Sequence, residues 1–249
     1  MKRRTILSHN AFWFQGAPFP DDVPSEPVGE IVRRLTALYK EVEPSIVCLQ
    51  EIQSLETFES VSRQLKYRGS FCAGLQLPQY GAGVFWATDR CRPYSNSRNS
   101  ASQVQRVWQT CEVFLGDTLL RISNVHLPSG RQLGPEKAAE KRIAELTDAI
   151  HCCRSGPDII AGDFNEWPGY AVSEYLSKNG YVDAAVVMNA EDRPTNLGGK
   201  RIDYFWVKKD LEKSLRHYDV VAKEKCTYSR NGKKFLSDHL PLWIVLEIE

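Results

Sequence analysis

The sequence predicts an α/β fold, a four-layer α/β sandwich in which two stacked mixed β-sheets are flanked by helices. Apolar, β-rich runs at residues 5–7, 45–49, 119–125 and 158–162 each end in polar residues. A helical stretch lies between the first two runs and another between the last two. Each half of the chain therefore holds a strand, a helix and a second strand. Their polar residues lie at the carboxyl ends of strands, where open α/β sheets carry their sites.

Periodicity and turn signals define the individual elements. Helices are predicted at residues 26–42 and 135–152, the second with Pro135 at a favourable first position. Further strands are predicted at 81–87, 104–115, 118–125, 202–207, 217–222 and 241–248, with Gly116-Asp117 as a hairpin turn. The Pro-rich loop at 15–27 lies inside the first half, and no Gly/Ser linker divides the chain. We expect one domain over residues 1–249.

Composition and charge exclude several classes of protein. The 249 residues are 42% hydrophobic and 25% charged, which is typical of globular proteins and excludes disorder, coiled coil and collagen. The formal net charge is +1, so any affinity for nucleic acid must come from local patches. The apolar run after the basic start is too short for a signal peptide, and no run approaches transmembrane length. The 7 cysteines include no Cys-x-x-Cys pair, which indicates reduced thiols. We expect a cytoplasmic protein with no membrane association and no obligate protein partner.

Short polar motifs carry the chemistry that the sequence offers. A phosphoester transition state requires a cation, oriented hydrogen-bond donors and a base for water, and these motifs supply all of them. Glu51 and Asp238 are oxygen ligands of the type that Mg²⁺ or Mn²⁺ prefers. The motifs are Ser8-His9-Asn10, Leu49-Gln50-Glu51, Asn124-Val125-His126-Leu127, Gly162-Asp163-Phe164-Asn165, Arg201-Ile202-Asp203-Tyr204-Phe205 and Ser237-Asp238-His239-Leu240-Pro241.

In this order, and at strand ends, the motifs resemble those of the endonuclease/exonuclease/phosphatase superfamily over nearly the whole chain. The resemblance implies a single catalytic domain with a Mg²⁺ cofactor that Mn²⁺ could replace. It makes Glu51 the principal metal ligand and gives Asn10 a supporting role. Asp163 matches the carboxylate that activates water, and Asn165 matches the amide that orients the nucleophile or the phosphate.

The same resemblance assigns the histidines. Asp203 would orient His239 through one ring nitrogen and leave the other nitrogen to face the phosphate. His126 matches a position that some branches fill with Tyr, and it would donate to a nonbridging oxygen. Apurinic endonucleases carry an acidic residue and a Trp where this chain has Phe12 and Lys200. The chain is therefore more similar to the branches that include DNases, deadenylases and tyrosyl-DNA phosphodiesterases.

Local charge and aromatic residues suggest the substrate. Two basic runs, at 90–106 and 223–234, would suit a phosphate backbone if they line the site, although they could also be solvated loops. Trp13 and Trp167 closely follow Asn10 and Asn165 and could stack on a base or sugar. The candidate substrate-binding residues are therefore Arg131, Lys200, Arg98, Arg230, Lys233, Trp13 and Trp167.

The resulting hypothesis is Mg²⁺-dependent hydrolysis of phosphodiester bonds, most readily in nucleic acid, by in-line attack of an activated water. The enzyme alternative is a phosphatase or phosphodiesterase of a small metabolite or lipid headgroup. The other alternative is a non-catalytic binding module. A zinc site at His151-Cys152-Cys153 is disfavoured because adjacent ligands on one helix point apart. A serine hydrolase lacks the Gly-x-Ser-x-Gly motif. The Lys/Glu-rich stretch at 136–145 is interpreted as the solvated face of a helix, although Lys141 or Arg142 could line a groove.

Overall fold

The computed structural model describes residues 2–19, 23–87, 90–115 and 117–248. Alternating side chains and short turns build the strands along this part of the chain. They are β1 (Lys2–Asn10), β2 (Ile46–Ile52), β3 (Arg68–Cys72), β4 (Gly81–Trp86), β5 (Cys91–Asn96), β6 (Val107–Leu115), β7 (Thr118–His126), β8 (Ile159–Asp163), β9 (Tyr181–Asp183), β10 (Asp203–Lys208), β11 (Leu215–Val220), β12 (Thr227–Arg230), β13 (Lys233–Phe235) and β14 (Leu242–Ile248).

The helices connect these strands. The α-helices are α1 (Gly29–Lys40), α2 (Leu55–Leu65), α3 (Gly130–Leu133), α4 (Pro135–His151), α5 (Ala171–Lys178) and α6 (Ala184–Val187), and short 3-10 helices lie at Phe12–Phe14, Ser97–Asn99, Lys209–Ser214 and Lys223–Cys226. Pro135 occupies the first turn of α4, where its missing N–H has no helical partner to lose. Ser54 caps α2 by accepting a hydrogen bond from the N–H of Thr57. Among the described helices, none has both the length and the apolar composition needed to cross a membrane.

The strands form two mixed six-stranded sheets. The first has the order β11-β14-β1-β2-β4-β3 and the second β5-β6-β7-β8-β10-β9, while β12 and β13 form a separate hairpin. Within the first sheet β1 and β2 are parallel, and within the second β7 and β8 are parallel. Their other named pairings are antiparallel. The carboxyl ends of the parallel strands therefore reach the same edge of each sheet.

Alternation along the strands builds the four layers. Ile6 and Ile46 face the second sheet, where they pack against Ile122 and Ile159 in a core between the sheets. Their neighbours Leu7 and Val47 point the other way, into a core under α1 and α2. A third core lies between the second sheet and helices α4 and α5. Both sheets are thus buried on two faces, and the predicted fold class is confirmed.

Several element predictions differ from the structure. The first helix covers residues 29–40 rather than 26–42, and β6 begins at Val107 rather than at residue 104. Helix α2 and strands β3 and β5 were not predicted from sequence. Strand β5 lies at a sheet edge and contains Pro93 with largely exposed neighbours, so it lacks the apolar alternation that indicates a strand. Antiparallel pairing of β6 with β7 confirms the hairpin, although Gly116 of its turn lies outside the described residues.

The polar end of β8 depends on a glycine. Gly162 has φ +140°, and a Cβ atom there would lie 1.9 Å from the backbone oxygen of Val125 on β7. Such contact leaves no room for any side chain. Gly162 therefore allows β7 and β8 to pair closely directly before Asp163.

We expect Gly162→Ala to lower the free energy of unfolding by about 3 kcal/mol or more, because a clash with backbone adds to an unfavourable φ. Denaturant unfolding would measure this loss. The control is Gly169→Ala, since Gly169 also has a positive φ, +81°, but has no atom within 4 Å of a Cβ. It should lose only about 1–2 kcal/mol. Equal losses in the two variants would mean that close strand approach at Gly162 is unimportant.

Candidate active site

Strand ends from both sheets meet at one edge of the sandwich and carry the predicted polar motifs there. In the first sheet, Asn10 at the end of β1 is in register with Gln50 of β2, which precedes Glu51. In the second sheet, Asp163 at the end of β8 is in register with both His126 of β7 and Asp203 of β10. The segment before β14 adds its own motif, Asp238-His239.

The amide of Asn10 joins the two sheets. Its Nδ2 donates to Glu51 Oε1 at 3.1 Å and to Asp163 Oδ2 at 3.0 Å. Glu51 lies at an irregularity in β2 between Gln50 and Ile52 and has φ 55°, an unfavourable value for a residue with a side chain. Asn165 also has a positive φ, and its backbone N–H donates to Asp163 Oδ1 at 2.8 Å. Two residues with positive φ therefore lie beside the two acids that Asn10 joins.

His239 and Asp203 form a buried ion pair. His239 Nδ1 lies 3.0 and 2.9 Å from the two carboxylate oxygens of Asp203 and donates to them. Thr195 Oγ1 donates to Asp203 Oδ2 at 2.6 Å, so both oxygens are used. Burial would lower the pKa of His239, but Asp203, Asp238 and Asp163 raise it well above the usual value. Burial raises the pKa of Asp203 to about 6, so at neutral pH both members of the pair are charged.

His126 occupies a different place from the one that sequence suggested. It is fully buried, and its Nε2 contacts Arg106 Nη1 and lies 3.3 Å from Asp163 Oδ2. Nε2 is therefore in contact with two protein groups, and His126 is not among the described residues that line the cleft. Burial and the Arg106 charge lower the pKa of His126 to about 4, which keeps the ring neutral. Arg106 stands between His126 and the cleft, and it lines the cleft itself.

The segment that carries Arg106 is held by helix α4. The backbone N–H of Ser102 donates to Asp148 Oδ2 at 2.9 Å, and that of Gln105 donates to Glu145 Oε1 at 2.8 Å. These bonds satisfy backbone groups that strand pairing would otherwise use, which explains why β6 begins only at Val107. The Arg106 guanidinium lies over the ring of Tyr80, 4.4 Å from its centroid. Its position is therefore fixed from two sides.

Two carboxylates have buried oxygens without a partner. Glu51 Oε2 and Asp238 Oδ1 have no hydrogen-bond partner among the described residues. Burial and the nearby Asp238 raise the pKa of Glu51 to about 8, and burial raises the pKa of Asp238. In contrast, His239, His126 and Arg106 hold the pKa of Asp163 below its usual value despite burial. The charge of Asp163 is compensated, whereas Glu51 needs a further cation to stay ionised at neutral pH, and burial also disfavours the ionised form of Asp238.

A second group of residues could also hold a cation by distance alone. Asp163, Asp203 and His239 place ligand atoms within 4.8 Å of one another. However, both oxygens of Asp203 already accept hydrogen bonds, and the oxygens of Asp163 accept bonds from Asn165 and Asn10. The oxygens of Glu51 and Asp238 fit a metal ion better, because each residue has one without any other partner.

These groups line a cleft of about 480 Å³, within the usual range for small-molecule sites. One wall is aromatic and buried: Trp13 is 1% exposed, and its Nε1 donates to the backbone oxygen of Gln79. An exposed rim carries Trp167, Arg131 and Lys200. The lining also includes Glu51, Asp163, Asn165, Asp238 and His239. Asn10, His126 and Asp203 are not among the described lining residues and contact members of the lining.

Comparison with known proteins agrees with this geometry. The sequence model described as "Endonuclease/Exonuclease/phosphatase family" matches residues 10–239. The chain belongs to this family. It is a family of phosphoesterases. A comparison with curated proteins gives no sequence match.

Solved structures share the fold of this chain. A Bacteroides thetaiotaomicron mannosyl-6-phosphatase has a TM-score of 0.71 at 17% identity and covers 98% of this chain and 100% of its own. The human Nocturnin catalytic domain with bound sulfate has a TM-score of 0.68 at 19% identity, over 99% of this chain and 94% of its own. D. rerio TDP2 with a single-strand DNA product has a TM-score of 0.67 at 14% identity, over 100% of both chains. These identities show a shared fold.

Three of the basic residues predicted for the substrate lie elsewhere in this family member. Among the described residues that line the cleft, Arg98, Arg230 and Lys233 do not occur. Arg230 pairs with Glu30 of α1 at 2.6 Å, and Lys233 donates to the backbone oxygen of Pro18. Arg98 lies in the 3-10 helix after edge strand β5. The two basic runs are therefore not a rim of this cleft, and Arg106 is the member of the first run that reaches it.

The Lys/Glu-rich part of α4 is not simply a solvated face. Arg142 is buried, donates through Nε to Pro128 O at 2.8 Å and through Nη1 to Glu166 Oε1 at 2.7 Å, and lines the cleft. Glu166 Oε2 also accepts from the N–H of Val172 at 2.6 Å. The sequence gives one signal that this charge is internal, because Arg142 lies four residues before the apolar Leu146 and shares its helix face.

A buried histidine of the first motif also connects two parts of the site. The Nε2 of His9 lies 3.2 Å from the backbone oxygen of His239, which can only accept, so Nε2 carries the proton. Nδ1 therefore accepts, and the Tyr39 hydroxyl of α1 donates to it at 2.7 Å. Burial lowers the pKa of His9 to about 3, which keeps it neutral. His9 thus holds the segment of His239 against the end of β1.

We expect Glu166→Gln to lower the free energy of unfolding by about 3 kcal/mol, because it leaves the charge of Arg142 buried without its partner. Thermal or urea unfolding would measure it. The control is Glu174→Gln, which breaks an exposed pair with Lys178 and should cost less than about 0.5 kcal/mol. A loss as small for Glu166 as for Glu174 would show that the buried pair contributes nothing.

Proposed function

We propose that this protein is a divalent-metal-dependent phosphoester hydrolase that acts on phosphodiester bonds, most readily in nucleic acid. One observation carries the proposal: two buried carboxylate oxygens without partners, on Glu51 and Asp238, face the same cleft as a charged histidine and a buried arginine. Such a site combines cation ligands with cationic donors. This is what the negative charge of a phosphoryl transition state requires.

Glu51 and Asp238 would hold the metal, and the amide of Asn10 would keep the Glu51 carboxylate in place. The metal-ligand atoms would be oxygens, and oxygen ligands favour Mg²⁺, with Mn²⁺ as a substitute, over zinc. When bound, the metal would neutralise charge on the phosphate and polarise it for attack. It would also offset the repulsion between the two carboxylates, because Asp238, after burial, is a cause of the raised pKa of Glu51.

The chain's own residues would carry out the proton transfer. Asp163 lies in the cleft with a lowered pKa, so it is ionised at neutral pH and can accept the proton of the attacking water. Asn165, two residues further, would orient that water. His239 is held by Asp203 through Nδ1, which leaves the protonated Nε2 to donate to a nonbridging oxygen.

Arg106 supplies a second donor to the phosphate in this proposal. Its guanidinium lines the cleft, and His126 contacts it from behind. The role expected for His126 from sequence, donation to an oxygen, thus passes to Arg106, and His126 positions it. Arg106 is also among the charges that lower the pKa of Asp163.

Replacing Glu51 with Gln tests the metal proposal. The change keeps the shape but removes the charge that would hold the cation, so we expect turnover to fall by roughly 10²-fold or more. Phosphodiester hydrolysis would be measured against metal concentration. Circular dichroism and thermal unfolding should show an intact fold.

The matched control for this test is Glu56→Gln, which changes an exposed glutamate in the first turn of α2 and should leave turnover unchanged. Hydrolysis by the unmodified protein that persists in excess chelator would refute the metal mechanism.

Nucleic acid as the substrate is supported by the cations at the cleft mouth. Arg131 lines the same cleft as the proposed metal ligands Glu51 and Asp238. Lys200 lines the same rim. A small phosphorylated metabolite is the second candidate, because the cleft is the size of a small-ligand pocket and a phosphatase shares this fold.

Charge reversal separates the two candidates. We expect Arg131→Glu with Lys200→Glu to weaken oligonucleotide binding and to flatten its salt dependence, by about one counterion for each lost contact. The control is the triple charge reversal of Arg98, Arg230 and Lys233, which lie outside the cleft lining. This variant should leave oligonucleotide binding and its salt dependence unchanged. Binding would be measured by fluorescence anisotropy over a range of salt concentrations. A larger loss of oligonucleotide binding in the triple variant than in the double variant would place the nucleic-acid path on the distant basic runs.

A further inference from the structure

Two large aromatic side chains stand exposed at the rim of the cleft. Trp167 is 52% exposed and Tyr170 is 61% exposed, and both line the cleft. They lie on the segment between Asn165 and helix α5, directly after the proposed catalytic amide. Large aromatic side chains ordinarily bury most of their surface, so two exposed ones beside a site indicate a surface that binds something.

The segment that carries these rings is firmly held. Glu166 accepts hydrogen bonds from Arg142 and from the backbone of Val172, as described above. Its backbone oxygen also accepts from the Tyr204 hydroxyl at 2.9 Å. Gly169 N–H donates to Ser173 Oγ at 3.2 Å. The rings are therefore presented by a fixed backbone, which reduces the entropy that a ligand would have to remove on binding.

The charge around the rings matches an anionic ligand. Lys200 Nζ lies over the ring of Trp167, 5.1 Å from its centroid. Arg131 lines the same rim. Flat aromatic faces next to cations are what a nucleotide requires, because its base stacks and its phosphate is negatively charged.

We propose that Trp167, Tyr170 and Lys200 form a binding site for an unpaired nucleobase of the nucleotide next to the phosphate that is cleaved. This inference rests on the proposed function and adds that the substrate is single-stranded where it enters the cleft. A base in a duplex is stacked on its neighbours and offers no free face to Trp167. The three basic residues that could hold a second strand lie outside the cleft lining.

The test compares two strands of equal length and charge. One is a single-stranded oligonucleotide, and the other consists of stable abasic units, so it has the same phosphates without bases. We expect Trp167→Ala to lower kcat/KM about 10-fold or more on the first strand, as base stacking on aromatic rings usually contributes, and less than about 2-fold on the second. Trp167→Phe should restore most of the loss, because the ring rather than the indole N–H is needed.

A control variant, a duplex substrate and a thermal unfolding measurement complete the test. Tyr94→Ala is the control, since Tyr94 is 41% exposed on β5 and is not among the lining residues. This variant should leave kcat/KM unchanged on both the base-bearing and the abasic strand. A blunt duplex of the same sequence should be cut several-fold more slowly than the single strand. Unchanged thermal unfolding of Trp167→Ala would exclude a general loss of structure.

The outcomes separate the two proposals. If Trp167→Ala slows the base-bearing and abasic strands equally, or if duplex is cut as fast as single strand, the base site is wrong while phosphodiester hydrolysis stands. If the unmodified protein cleaves neither strand but releases phosphate from small phosphomonoesters in Mg²⁺, nucleic acid as the substrate is wrong, and the base site fails with it.

Discussion

The side-chain amide of Asn10 is the contact on which the geometry of the site depends. Its two N–H groups reach the carboxylates of Glu51 and Asp163, which belong to different sheets. A neutral donor can hold two acids a few ångströms apart without adding charge, whereas the acids alone would repel. The edge where the two sheets meet can therefore concentrate negative charge. The sandwich fold sets where the acids are, and Asn10 sets how they face each other.

Charge compensation then divides the acids into two classes. Asp163 and Asp203 are balanced within the protein, by His239, Arg106 and the hydroxyl of Thr195. Glu51 and Asp238 are balanced only in part, and their pKa values are raised. Unbalanced buried acids are costly to ionise, and this cost is the physical basis of the metal proposal. The division follows from which groups each carboxylate contacts.

The two walls of the cleft have different physical characters. Trp13 is buried and hydrogen-bonded, so it shapes the site without offering a free surface. Trp167 is exposed on a backbone that one buried ion pair, between Arg142 and Glu166, and several hydrogen bonds hold in place. Solved structures with the same fold include a mannosyl-6-phosphatase and TDP2, so the fold alone does not set the substrate. In this chain the exposed rim of the cleft is aromatic and basic.

Much of the fold and the centre of the site could be predicted from sequence, because both depend on local patterns. Alternation of apolar residues identified most strands of the two sheets, and residue types at the strand ends identified the acids, amides and histidines. What sequence did not determine was which charges face the cleft. Arg98 and Arg106 belong to one basic run, yet only Arg106 reaches the site, because the pairing of β6 with β7 sets Val107 opposite His126. Arg230 is neutralised by Glu30, 200 positions earlier in the chain. Periodicity and propensity act between neighbours in sequence, whereas charge pairing acts between neighbours in space, and only the tertiary structure decides which residues those are.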